Sequence, residues 1–204
     1  LGALAVLEAE RGRYTEAEQL FTRARSRYRG TSPFPVASLD FRRGLMGLTR
    51  RDLAAARSWF ATAARLVPAY APAQGHLAEV DAVLGATDAA IDRLRPLAAS
   101  SDDPQYAATL AAVLGLAGRP AEAAHWRARA AERYEELAAR HPDAFADHAA
   151  DFRRSLDRDP LTVLALPRTG HAHGHGHGHG HGVGRHDARG ALRGHAPSLP
   201  TGRP

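Results

Sequence analysis

Leu53-Ala-Ala-Ala56-Arg-Ser-Trp-Phe60-Ala-Thr-Ala63-Ala-Arg-Leu-Val-Pro68 decides how the rest of the chain is read. Ala56, Phe60 four residues on and Ala63 three further share one face of a helix, because positions three and four apart are neighbours on its surface. Pro68 punctuates the segment, since proline lacks a helical donor and crowds the preceding turn. The pattern recurs as Ala17, Phe21, Ala24 upstream, then as Ala90, Leu94, Leu97 and as Ala123, Arg127, Ala130, where Trp126 sits beside the expected large position. Phe21, Phe60, Leu94 and Arg127 are 39, 34 and 33 residues apart. Before each copy lie another amphipathic stretch and a short turn, at Arg11-Gly12-Arg13, Thr49-Arg50-Arg51, Gly85-Ala86-Thr87 and Gly118-Arg119-Pro120. The unit is therefore a pair of helices. Its small residues admit close approach and its bulky one fills the remaining gap. Pro104 is expected, like Pro68, to punctuate the end of a second helix, with Asp102-Asp103-Pro104 supplying helix-start chemistry, and residues 30–35 to form a longer loop.

Composition agrees with close-packed helices. The 204 residues include 44 Ala and 27 Arg but no Lys and no Cys; aromatics are 6% and strand-forming runs are scarce. The length accommodates one compact domain or a repeat array with a tail. Without Cys, disulfides, thiolate zinc sites and a cysteine nucleophile are excluded. No apolar run approaches the roughly 20 residues that cross a bilayer. Residues 1–166 hold 22 Arg against 21 acids, and residues 167–204 hold five Arg against Asp187 alone. The net charge of +5 thus belongs mainly to the tail, and no basic stripe with stacking groups marks a nucleic-acid face.

On these motifs the chain resembles the tetratricopeptide repeat (TPR) family, whose unit is about 34 residues. The resemblance covers residues 1–140. It departs from the family in lacking the early tryptophan, whose register holds Asp40, Gln74 and Ala107, and in placing Arg43 where Leu belongs. It implies an all-α, right-handed α-solenoid of stacked helix-turn-helix hairpins over residues 1–160, about four repeats with the first truncated plus C-terminal helices; composition makes 161–204 a disordered tail. First helices of such arrays line a concave groove that receives a peptide or a partner's helix. By register the groove positions are Phe41, Arg42, Leu45, Thr49, His76, Glu79, Thr109 and Ala112. The basic clamp for a C-terminal carboxylate is not visible.

Beyond Pro142, Phe145, Ala149, Phe152 and Leu156 form one further apolar stripe, and Asp143 suits a helix start. After Pro167, Gly, His, Pro and Arg dominate without a periodic apolar face, so disorder is expected. The tail carries His171, His173, His175, His177, His179 and His181, separated by single small residues. Alternate residues of an extended chain share a side, so neighbouring imidazoles can converge on Ni²⁺, Co²⁺, Zn²⁺ or Cu²⁺. Ligation needs neutral imidazole, pKa around 6.5, so binding should fade toward pH 5. A selected metal role, a chance low-complexity expansion and a shifted reading frame after Pro160 all remain open origins for the tract. His76, His125, His141 and His148 read as packing or surface residues, and Trp59 and Trp126 as packing.

No Gly-x-Ser-x-Gly, phosphate-binding loop or His-Glu-x-x-His appears. The expectation is a non-enzymatic scaffold that needs no cofactor and binds a protein or peptide, with no nucleic-acid partner and no membrane span. The alternative is a metal-handling accessory protein whose tail delivers Ni, Co, Zn or Cu to a transporter or metalloprotein. A third reading puts an activity upstream of Leu1. The sequence does not reveal the compartment; cytoplasmic is slightly favoured, with a preceding signal peptide left open because the chain starts at Leu1 rather than Met.

Overall fold

The computed structural model describes residues 1–165; 81% of them are helical and none is in a strand. The helices are α1 (Gly2–Glu10), α2 (Tyr14–Arg27), α3 (Phe34–Thr49), α4 (Leu53–Leu66), α5 (Ala71–Val83), α6 (Thr87–Ser100), α7 (Pro104–Leu116), α8 (Pro120–Arg140), α9 (Pro142–Ser155) and α10 (Pro160–Ala165). Consecutive helices from α1 to α9 pack on each other, so four hairpins, α1–α2, α3–α4, α5–α6 and α7–α8, follow in series. The last helix does not continue the series: α10 turns back onto α7 and α5. The expected tail from residue 161 onward, with its six-histidine tract, otherwise lies outside the described residues.

The repeat is written in the backbone of the four turns. Gly12, Arg51, Gly85 and Gly118 each take positive φ, at 76°, 58°, 89° and 67°. They stand 39, 34 and 33 residues apart, the same intervals as the bulky positions. Each amide bonds back three residues, and the next amide bonds back five: Arg13 N–H to the Glu8 carbonyl at 2.9 Å, Asp52 to Gly47 at 2.9 Å, Ala86 to Asp81 at 2.8 Å and Arg119 to Leu114 at 2.9 Å. This is the Schellman closure, which satisfies the last carbonyls of a helix through a left-handed residue. Glycine adopts that conformation freely, whereas Arg51 adopts it against the clash of its Cβ.

Close approach within the α3–α4 hairpin depends on missing side chains. A Cβ on Gly47 would lie 2.8 Å from the Ala56 backbone nitrogen, and one on Gly44 would lie 2.4 Å from the Phe60 ring. Ala17, Ala56, Ala90 and Ala123 are all buried, as are Phe21, Phe60 and Leu94. The fourth copy differs. Arg127 is exposed, while Trp126, one residue earlier, packs half-buried against the core shared by α5 to α9. That helix, α8, runs 21 residues against 14 for α4, because no proline or glycine stops it before Pro142.

One loop boundary and one stripe end differ from the sequence reading: Phe34 and Pro35, expected in the longer loop, open α3. Pro104 opens α7, the helix start that Asp102-Asp103-Pro104 offers in sequence, and Asp103 caps it by accepting from the Gln105 amide at 2.9 Å. Pro96 lies inside α6. On α9 the apolar stripe stops at Phe152, whose ring stacks on Tyr134 at 4.9 Å, and Leu156 is exposed.

Successive hairpins are held together by arginines that reach buried carboxylates as well as by apolar contact. Arg25 of α2 pairs with Asp40 of α3, and Arg57 of α4 bonds Asp81 of α5 at 2.6 Å; both carboxylates are buried. Arg43, in a leucine register, is also buried. Its guanidinium lies 3.6 Å from the Trp59 ring centre and pairs with Glu18 of α2. Cation–π stacking and a carboxylate thus replace the contacts an aliphatic side chain would make.

Candidate interaction surface

Four of the groove positions expected from register join into one chain of contacts across three helices. Phe41 of α3 lies 5.5 Å, ring to ring, from His76 of α5. His76 Nδ1 is 2.8 Å from Glu79 Oε2, and the Thr109 hydroxyl of α7 donates to the other Glu79 oxygen at 3.4 Å. First helices therefore share a side of the array, as the return of α10 onto both α5 and α7 also requires. Thr109 itself is buried, 3% exposed, so it supports Glu79 from below rather than offering a free hydroxyl. Leu45 and Ala112 are half-buried, and Arg42 and Thr49 are exposed. The Thr49 hydroxyl donates to the Leu45 carbonyl at 3.2 Å.

Around this chain the structure gathers rings that register does not flag. Tyr70, at the start of α5, meets Phe41 at 5.3 Å and Phe34 at 5.2 Å, both edge-on. His76 stacks on Phe60 at 5.3 Å, so a core ring forms the floor beneath it. Phe34 is half exposed at the start of α3. Farther along, the Tyr106 ring of α7 lies over α5 where Gly75 leaves the backbone bare; a Cβ there would be 2.8 Å from the ring. The chain has six Phe, five Tyr and two Trp, and Phe34, Phe41, Phe60, Tyr70 and Tyr106 converge on these three helices. Edge-on and tilted pairs are the geometry that the ring quadrupole favours.

Burial sets the electrostatics of this wall. It pushes the Tyr106 hydroxyl well above its ordinary range, with Asp103 and Glu79 acting in the same direction. The Tyr70 hydroxyl is also raised by burial, against a bond to Ser38 and the charge of Arg42. Both phenols are therefore neutral at physiological pH. The surface is apolar and aromatic, with Arg42 as an exposed cation and Glu79 as a recessed acid.

Elsewhere, a cleft of about 200 Å³ between α6, α7 and α8 is lined by Asp102, Asp103, Arg129, Arg133 and Glu136. Its charges answer one another, Arg133 bonding Glu136 at 2.6 Å. Among the described residues no three His, Asp or Glu side chains are grouped to hold a metal ion, and no helix is long and apolar enough to cross a membrane. His141 is exposed before α9, and the His148 ring meets Phe145 at 6.1 Å. The expected metal ligands His171, His173, His175, His177, His179 and His181 lie outside the described residues.

The aromatic positions had only a weak signal in sequence. Phe34, Tyr70 and Tyr106 cluster near the openings of α3, α5 and α7, but they occupy three different registers of the repeat. No family model, curated protein or solved structure matches the chain.

Proposed function

We propose that the chain is a non-enzymatic TPR-type scaffold that binds a protein or peptide segment on the face shared by α3, α5 and α7. The observation that carries this reading is the aromatic and half-buried surface running from Phe34 through Tyr70, Phe41 and His76 toward Tyr106. Rings pre-packed against one another lose little side-chain freedom on binding, which is why aromatic residues dominate interface hot spots. The 39-, 34- and 33-residue intervals of the four Schellman turns favour the TPR assignment over an irregular helical bundle. Arg42 and Glu79 supply charges of opposite sign that set a bound segment's orientation.

Selection of a random peptide library on the immobilised full chain tests the reading. Enriched peptides are expected to bind the wild type and to lose at least tenfold in affinity on Phe34→Ser and on Arg42→Glu, both exposed positions whose replacement leaves helicity unchanged. Peptides that bind both variants as well as the wild type would place the binding site elsewhere.

A second reading rests on the six alternating histidines from His171 to His181. Their imidazoles suit Ni²⁺, Co²⁺, Zn²⁺ or Cu²⁺, and a metal-handling role adds to the scaffold if metal changes what the scaffold binds. Calorimetric titration of the full chain with nickel at pH 7.5 and again at pH 5 is expected to show binding that is lost at the lower pH, as imidazole protonates. Retention of full affinity at pH 5 would remove imidazole as the ligand.

A further inference from the structure

The short last helix packs on two of the three helices that carry the proposed binding face, α7 and α5. After α9, residues 156–159 carry the chain back so that α10 packs on α7 and on α5, two first helices of different hairpins. Pro160 lies over Gly115: a Cβ added to that glycine would be 3.4 Å from Pro160 Cγ. Leu164 packs against the core shared by α5 to α9. Gly115 shares a stripe of α7 with two other small residues, Ala108 and Ala112, at i, i+4 and i+7. Asp159 closes the N-terminal end of α10 by accepting from the Thr162 amide at 3.1 Å.

What this contact lacks is equally informative. Only one side of α10 is engaged: Pro160, Val163 and Leu164 are half-buried, while Leu161 is 45% exposed. Six residues form too short a helix to persist by themselves. The segment holds its place through a tether of four residues, which raises its effective concentration to about millimolar. Such a contact is held locally and released without unfolding the hairpins beneath it.

Resting on the reading of this face as the binding surface, we infer that α10 is its resident occupant, and that the partner is a short apolar helical segment of similar chemistry, a capped Pro-Leu-x-Val-Leu-like turn, that must displace α10 to bind. The small residues Ala108, Ala112 and Gly115 admit a helix lying flat on α7, and α10 shows which side chains that contact accepts.

The absence of cysteine permits a clean test in the full chain. The double variant Gly115→Cys/Pro160→Cys is expected to form an intramolecular disulfide on oxidation, locking α10 in place, and Leu164→Asp is expected to release it. The probe is a fluorescein-labelled peptide with the sequence of residues 159–165, followed by anisotropy, with circular dichroism verifying helicity. The released variant should bind at least tenfold tighter than the wild type. The oxidised double variant should show no saturable binding and regain it on reduction.

Failure of the disulfide to form, undiminished binding by the oxidised chain, or wild-type affinity in a helical Leu164→Asp chain would each overturn the inference. Library-selected peptides that bind the locked and released chains equally would leave the binding face standing and remove α10 as a competitor. No binding by any form, to the probe or to library peptides, would remove both.

Discussion

Single residues decide the turns and the close contacts, and they did so legibly. Gly12, Gly85 and Gly118 announce a left-handed position in sequence, and each occupies one. Arg51 does not announce it, yet the spacing of its turn from the others placed a turn there. Because a side chain in this conformation costs about 1 kcal/mol, Arg51→Gly is expected to stabilise the chain by about 0.5–1 kcal/mol in urea denaturation. Gly85→Ala and Gly118→Ala should each cost about 1 kcal/mol or more. Tyr106 offers a pH test. Its hydroxyl pKa is raised in the folded state above the ordinary 10.0. The unfolded chain therefore loses that proton first, and the contribution, complete below pH 10, is lost as pH rises beyond it. Denaturation followed between pH 9 and 11 should show stability falling, with a shallower fall in Tyr106→Phe. An unchanged slope would mean the ring is not held as described. The half-exposed wall of Phe34, Tyr70 and Tyr106 was not legible, because ring contacts between helices depend on how hairpins sit, and no spacing within one repeat encodes that.

At the scale of elements, helix pairs followed from the alternation of small and bulky positions, and helix lengths followed less well. Absence of a stop let α8 run on to Arg140, and Pro104 served as a start because Asp103 caps ahead of it. The joints between hairpins were the least legible feature. An arginine and an aspartate 24 residues apart, such as Arg57 and Asp81, carry no local pattern, and an arginine in a leucine register looks like a defect until Trp59 and Glu18 are seen around it. Replacing one partner strands the other, whereas replacing both removes the desolvation cost together with the attraction. Arg57→Leu should therefore destabilise the chain by about 1–3 kcal/mol, the cost of an unsatisfied buried polar group. The double variant Arg57→Leu/Asp81→Leu should recover most of that loss. A double variant as unstable as the sum of the two single ones would show that the pair does not join α4 to α5.

For the whole molecule, the repeat organises which surfaces are covered. Leu4 and Leu7 of α1 are exposed, whereas the residues at their register in later first helices, Leu77 and Leu110 for Leu4 and Met46, Val80 and Val113 for Leu7, are buried where a preceding hairpin packs. The all-helical series was legible from periodicity, whereas the shared side of α3, α5 and α7 was expected only from the resemblance to tetratricopeptide repeats. The return of α10 onto that side was not, since Leu161 to Ala165 lies beyond the last repeat signal and its seat depends on Gly115, far away in sequence. The account rests on first helices forming one receiving face while second helices serve as its backing. Amide hydrogen exchange of the full chain, with and without a saturating library-selected peptide, measures this directly. Slowed exchange confined to α3, α5 and α7, with α10 exchanging faster as it is displaced and α2, α4 and α6 unchanged, is the predicted result. Protection concentrated on α2, α4 and α6, with α3, α5 and α7 unaffected, would contradict it.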